Sequence, residues 1–163
     1  MGTQIFYQFT LSSEQLDYLY DTRYHKSRME FLMHLVKSAL MTSAPARLTG
    51  NGRILSAGQF EKSELQLSKE WGCDRKTVAK VIARFNDLGI ISSEPGKRTT
   101  IHTVCCLAGW IIGNIRLGCP TFRQGYDYRN IQKGRLSDIP GIDRFLANSD
   151  AGYPTTSNIE SFI

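Results

Sequence analysis

Between Arg75 and Arg84 the chain carries four cations, Arg75, Lys76, Lys80 and Arg84, with no acid among them. A second basic pair, Lys97-Arg98, follows, with Thr99 beside it. Guanidinium and ammonium groups in such numbers neutralise phosphates well. An arginine can also donate two hydrogen bonds to guanine O6 and N7, worth about 1–3 kcal/mol of discrimination between bases. Thr77 adds a hydroxyl able to donate to a phosphate. Covalent chemistry has no comparable candidate. No paired-carboxylate motif, HExxH or GxSxG occurs, and His25, His34 and His102 have no evident triad partners. Asp17 and Asp21 stand four apart, a spacing that exposed helices commonly carry. The chain is therefore not expected to be an enzyme.

Metals and cofactors have equally little to hold them. The four cysteines, Cys73, Cys105, Cys106 and Cys119, contain no CxxC pair. Cys105 and Cys106 are adjacent, so on a strand they would point to opposite faces and could not readily share one ion. His102, Cys105 and Cys119 lack ligand spacing, and buried thiols are the plainer reading. Gly50-Asn51-Gly52 is a turn signal and not a phosphate loop, because no Gly-Lys-Ser/Thr follows it. No cofactor and no metal are expected.

The frame that must carry the cations runs from Gly58 to Val104. Ser63 followed by Gln66 fits a helix-opening capping box, and Leu67 and Trp71 face a core. Gly72 permits the left-handed residue that a tight C-cap needs. Asp74 caps a second helix, on which Val78, Val81, Ile82, Phe85 and Leu88 repeat at three- and four-residue spacing. Arg75, Lys76 and Lys80 lie off that apolar face, in the first two turns. Gly89 ends the helix; Ile90 to Ser92 starts a strand, Glu94 to Arg98 makes a turn, and Thr99 to Val104 returns. Helix, tight turn, helix with a basic leading edge, hairpin with a basic tip: this is the plan of a winged helix-turn-helix.

The flanks read less sharply. Ile5 to Phe9 is a short strand or an extended arm. Ser12 with Gln15 opens a helix to which Leu16, Leu19 and Tyr20 give an apolar side, and Asp21 to Lys26 is a break or its continuation. Ser27 with Glu30 opens a stronger one, with Phe31, Leu32, Leu35, Val36 and Ala39 at helical spacing; the same pattern would serve a dimer seam. Thr42 to Arg53 is a turn-rich linker, and Ile54 to Phe60 holds a short strand that pairs with the later hairpin. Leu107 to Ile112 finishes the core. Thr121 to Ile163 reads as an irregular tail, a backbone-contacting arm or a solvated segment, with Arg123, Arg129, Lys133, Arg135 and Arg144 nearly balanced by acids. Arg116 has no place in the motif.

At 163 residues and 41% hydrophobic the chain suits one domain. The boundaries expected are an N-terminal arm and helix over 1–26, a winged helix-turn-helix domain over 27–112 and an irregular C-terminal tail over 113–163. The fold class expected is α+β, mainly helical, with an N-terminal helical extension. A net charge of +5 is compatible with a polyanionic partner, but its placement has to carry that reading. No apolar run approaches the roughly 20 residues that span a bilayer. The N-terminus lacks a basic region followed by an apolar one, and Phe6 stands where a myristoylation signal needs Ser or Thr. A cytoplasmic protein without membrane contact is expected.

The stretch LSKEWGCDRKTVAKVIARFNDLGII resembles the helix-turn-helix of GntR-type winged-helix regulators. It is still more similar to the winged domains of phage and plasmid replisome organisers. There a Gly-Gln strand precedes the motif, as Gly58-Gln59 does here, and a Lys/Arg-Thr-Thr-Ile wing strand follows, as in Lys97-Arg98-Thr99-Thr100-Ile101. The N-terminal stretch looks like that of winged-helix proteins on bacterial mobile elements. The resemblance covers about a third of the chain closely. It implies DNA contact by Arg75 and Thr77. Asp74 stands where Ser is usual, and Ala79 stands where regulators often carry a base-reading arginine, with Lys80 beside it. No effector domain follows the wing, which argues against a ligand-sensing regulator.

In a helix-turn-helix the N-terminal part of the second helix enters the major groove. Arg75 is then placed to read a base near the positive end of the helix dipole. Lys76 and Lys80 would neutralise phosphates. Arg84, two turns in, would touch the backbone or solvate the helix. Lys97, Arg98 and Thr99 would lie along the backbone or in the minor groove. The expectation is double-stranded DNA binding by a transcriptional regulator or replication accessory of a bacterial mobile element or plasmid. A homodimer and replication or transfer proteins are the further partners considered. The competing expectation is a protein–protein adaptor in a replication or transfer complex without direct DNA contact.

Overall fold

The computed structural model describes residues 2–21, 27–124 and 131–148. The chain divides into two units, Met1–Tyr126 and Asp127–Ile163. The first begins with strand β1 (Ile5–Phe9), followed by helices α1 (Ser13–Leu19) and α2 (Arg28–Ser38). Three short strands follow, β2 (Ala44–Pro45), β3 (Ile54–Leu55) and β4 (Gln59–Glu61). Then come helices α3 (Glu64–Trp71) and α4 (Arg75–Asp87), and strands β5 (Ile91–Pro95), β6 (Thr100–Val104), β7 (Leu107–Ile112) and β8 (Ile115–Gly118). The second unit holds a 3-10 turn at Leu136–Asp138 and helix α5 (Ile142–Asn148). The strands form three antiparallel sheets, ordered β1-β7-β8, β2-β3 and β4-β6-β5.

This architecture overturns the mainly helical fold class. The described residues are 36% helix and 24% strand, an α+β chain with eight strands in three sheets. The N-terminal extension is not purely helical, because it opens on β1, which pairs with β7 from Ile5↔Ile112 to Phe9↔Leu107. Nor is the chain beyond Gly113 simply irregular. Strand β8 folds back on β7, Thr121 is buried against Val104, and α5 is a regular helix. The physical reason is the same at both ends. A strand of four or five residues is too short to announce itself by periodicity, and its hydrogen-bond partner lies far away in sequence. Residues 22–26, Tyr128 and Arg129 lie outside the described residues.

The helices follow their capping chemistry. Ser12 accepts from the Gln15 amide while the Gln15 side chain accepts from the Ser12 amide, a complete capping box. Ser27, Ser63 and Asp74 each accept from the backbone amide three residues on. One hydrophobic core collects Leu19 of α1, Phe31, Leu32, Leu35 and Val36 of α2, Leu67 and Trp71 of α3, and the inner face of α4. Phe31 stacks on Trp71 with ring centroids 4.3 Å apart. The amphipathic reading of α1 is corrected in part. Leu19 and Gln15 are its buried residues, whereas Leu16 and Tyr20 are exposed. Gln15 earns burial by donating from Nε2 to the carbonyl of Leu88, which anchors α1 on the end of α4.

The strand expected over Ile54 to Phe60 is split. Ile54–Leu55 pairs with Ala44–Pro45, and only Gln59–Glu61 joins the later hairpin, through β6. Gly58 lies between them at φ +89°, where a Cβ would sit 2.0 Å from Thr121 Oγ1 and 2.6 Å from Cys119 Sγ. Gly58→Ala is therefore expected to cost about 2–4 kcal/mol, from backbone strain and the buried clash together. A thermal melt should show this as a fall of roughly 10 °C.

Candidate nucleic-acid interface

The turn between α3 and α4 is built from side chains as much as backbone. Gly72 takes the left-handed conformation, φ 68° and ψ 35°, and its amide donates to the Ser68 carbonyl. Ser68 Oγ donates in turn to the carbonyl of half-buried Cys73 at 2.6 Å. Asp74 Oδ1 then accepts from the Thr77 amide at 2.8 Å and starts α4. The Thr77 hydroxyl bonds the same carboxyl and, with the Thr77 amide and the charges of Lys76 and Lys80, holds it below the usual aspartate range.

Helix α4 is sharply two-faced. Val78, Val81 and Phe85 are fully buried and Ile82 nearly so, while Leu88 is half-buried against the same core. Arg75, Lys76, Lys80 and Arg84 are exposed, and Thr77 and Ala79 are half-exposed. Lys76 and Lys80, four apart, share the outer side. Among the described residues, Arg75, Lys76 and Lys80 make no side-chain hydrogen bond or ion pair. Arg84 differs: its guanidinium carbon lies 5.7 Å from the Tyr18 ring centroid, toward α1.

A buried polar relay fixes the β5–β6 hairpin against this helix. Asn86 Nδ2 donates to the Ile82 carbonyl and to Ser93 Oγ, and Asn86 Oδ1 accepts from the Ser93 amide. Ser93 Oγ lies 2.8 Å from His102 Nδ1, and His102 Nε2 lies 3.0 Å from the Lys62 carbonyl. Because a carbonyl can only accept, the proton sits on Nε2 and the Ser93 hydroxyl donates to Nδ1. His102 is buried, and that burial depresses its pKa more than the Lys62 carbonyl raises it. The folded state thus prefers neutral imidazole. Its contribution to stability is complete above the ordinary histidine pKa of 6.5 and is lost as pH falls below it toward the depressed folded value. A melting-temperature profile between pH 7.5 and 5 should fall in the wild type and flatten in His102→Gln; equal slopes in the two proteins would refute this.

The hairpin tip carries Lys97 and Arg98, both exposed, on a turn closed by the Gly96 amide donating to the Thr99 carbonyl. Thr99 itself is only 4% exposed, so it does not lie on the hairpin surface as the sequence reading placed it. Its neighbour across a cleft of about 470 Å³ is the loop joining β2 to β3, which contributes Arg47 and Asn51. That loop is shaped by one carboxylate. Glu61 accepts from the amides of Arg47, Leu48 and Thr49 and from the Thr49 hydroxyl at 2.8–3.2 Å. Burial pushes the Glu61 carboxyl up, but these hydrogen bonds together outweigh it and hold the group below the usual range. Arg53 pairs with Glu94 on β5 at 2.8 Å and fastens the loop to the hairpin.

Comparison with protein families, curated proteins and solved structures finds no match. The resemblance to GntR-type and replisome-organiser domains therefore rests on the quoted sequence motif.

The structure places Arg75, Lys76 and Lys80 on one helix and Lys97 and Arg98 on a hairpin tied to it through Asn86 and Ser93. It turns the Thr77 hydroxyl back to Asp74, draws Arg84 toward α1, and buries Thr99. The sequence reading missed Arg47, Arg53 and the β2–β3 loop, which it took for a linker. The available signal was two arginines bracketing the Gly-Asn-Gly turn. Cys105 and Cys106 are not on a strand but form the turn that carries the chain from β6 to β7. Burial raises both thiols, Cys106 to about 12. Among the described residues no group of three or more His, Cys, Asp or Glu side chains is arranged to hold a metal ion, and no helix is long and apolar enough to cross a membrane.

Proposed function

We propose that this chain binds double-stranded DNA, with the N-terminal half of α4 in the major groove and the β5–β6 hairpin on the backbone. The observation that carries the reading is the outer face of α4. Arg75, Lys76 and Lys80 are exposed and, among the described residues, unengaged by hydrogen bonds or ion pairs, on a helix whose opposite face is locked into the core. They lie in the first two turns, where the helix dipole also favours an anion. Arg75 reads a base, Lys76 and Lys80 neutralise phosphates, and Lys97 and Arg98 follow the backbone. Thr77 supports the site by capping, through Asp74, more than by contact. The setting implied by the motif is a cytoplasmic regulator or replication accessory of a bacterial mobile element.

The test is selection from a random pool of duplex DNA, with sequencing, at two salt concentrations. Enrichment of a motif whose affinity falls steeply with salt supports the proposal. A palindrome would indicate a dimeric regulator; direct repeats would indicate a replication organiser. Absence of enrichment together with weak, salt-insensitive binding would overturn it and leave the protein-adaptor reading in its place.

A further inference from the structure

We infer that the cleft between the β2–β3 loop and the β5–β6 turn seats one phosphate of the DNA backbone, so that two hairpins, not one, grip the duplex. This inference rests on the DNA-binding reading and adds to it a contact that the helix and wing alone do not supply.

Three observations carry it. Among the described residues, the cleft of about 470 Å³ has three cations in its lining, Arg47, Lys97 and Arg98, and no carboxylate. Two carboxylates bonded to the loop are already occupied. Glu61 is saturated by the loop's own amides and the Thr49 hydroxyl, and Glu94 is paired with Arg53. Glu94 is thereby neutralised by a cation, whereas Glu61 keeps its charge but turns its oxygens to the loop's amides and does not line the cleft. Lastly, Thr99 lines the cleft, is 4% exposed, and its Oγ1 is buried with no hydrogen-bond partner among the described residues. Buried hydroxyls are nearly always satisfied; this one has no accessible surface, so an anion in the cleft reaches it only where the Thr99 wall yields. There a phosphate oxygen would supply the acceptor, and Arg47, Lys97 and Arg98 supply charge-assisted donors to the other oxygens. The site recognises a phosphodiester by charge and shape and carries no base information.

The same cleft could take inorganic phosphate in place of a backbone phosphate, and the test separates the two. Duplex DNA is titrated against wild type, Arg47→Ala, Thr99→Val and Lys76→Ala across a salt series, with inorganic phosphate as a competitor at constant ionic strength. Arg47→Ala should weaken binding to all sequences by about tenfold and reduce the slope of log affinity against log salt by about 0.9. Thr99→Val should bind DNA more weakly yet melt at a higher temperature, because it removes an unsatisfied buried hydroxyl; a purely structural threonine would change the melt alone. Full affinity and slope in Arg47→Ala, with Lys76→Ala still impaired, would overturn the cleft while leaving the DNA reading intact. If Arg47→Ala leaves DNA affinity and slope unchanged yet abolishes binding of inorganic phosphate, the cleft is a free-anion site and the inference is also overturned. Failure of the wild type to bind DNA in a salt-dependent way would overturn both.

Discussion

Replacing Lys76 and Lys80 together by glutamate is expected to lower affinity for duplex DNA about a hundredfold at ~0.1 M salt, without changing the melting curve. Each lost phosphate contact removes about 0.9 from the salt slope, nearly a factor of ten at that concentration, and charge reversal adds repulsion. Both side chains are exposed and engaged by no hydrogen bond or ion pair among the described residues, so the fold has little to lose. Arg75→Ala should behave differently. It should cost about 1–3 kcal/mol at the preferred sequence and much less elsewhere, flattening specificity, because a bidentate contact to guanine is lost. A gel-shift series on the selected motif and a scrambled duplex separates the two effects. Wild-type affinity in the double variant would remove α4 from the interface.

Val81→Asp is expected to abolish folding. Val81 is fully buried between Val78, Ile82 and Phe85 on the inner face of α4, in the core that α2 and α3 also form. An unpaired carboxylate there costs several kcal/mol even after its pKa rises, against a total stability of about 5–15 kcal/mol. Circular dichroism should show no cooperative melt, and the protein should partition into the insoluble fraction. A soluble, cooperatively melting Val81→Asp would mean that the register of α4 is wrong, and with it the assignment of Lys76 and Lys80 to the outer face.

Much of the candidate site is legible in the sequence because it is local. A cap residue, a left-handed glycine and apolar spacing are all set within a dozen residues, and Ser63, Gly72 and Asp74 take their expected roles. The apolar stripe from Val78 to Phe85 likewise fixed which cations face outward. What escaped is non-local. The pairing of β1 with β7 joins the two ends of the first unit, and nothing within IFYQF distinguishes that strand from an arm. The β2–β3 loop is organised by Glu61, which gathers backbone amides 12 to 14 residues away, groups that carry no signal in residue type. Thr99 departs from its expected exposure because a hairpin's tip is exposed on average, while a particular residue beside it can be buried. The Asn86–Ser93–His102 relay combines residue types common in loops, and only their juxtaposition makes them a tie between helix and hairpin.

The pairing of β1 with β7 also sets an order in time. The β4-β6-β5 sheet draws on a span from Gln59 to Val104, whereas β1 must wait for a partner about a hundred residues downstream. At a synthesis rate of about 5–20 residues per second, that wait is roughly 5–20 s on the ribosome. Until then the apolar segment has no strand partner in the chain, and an unpaired strand edge is the kind of template on which neighbouring chains associate. The β1-β7-β8 sheet is thus the last of the three to close, and a chain cut short before Leu107 leaves β1 open permanently.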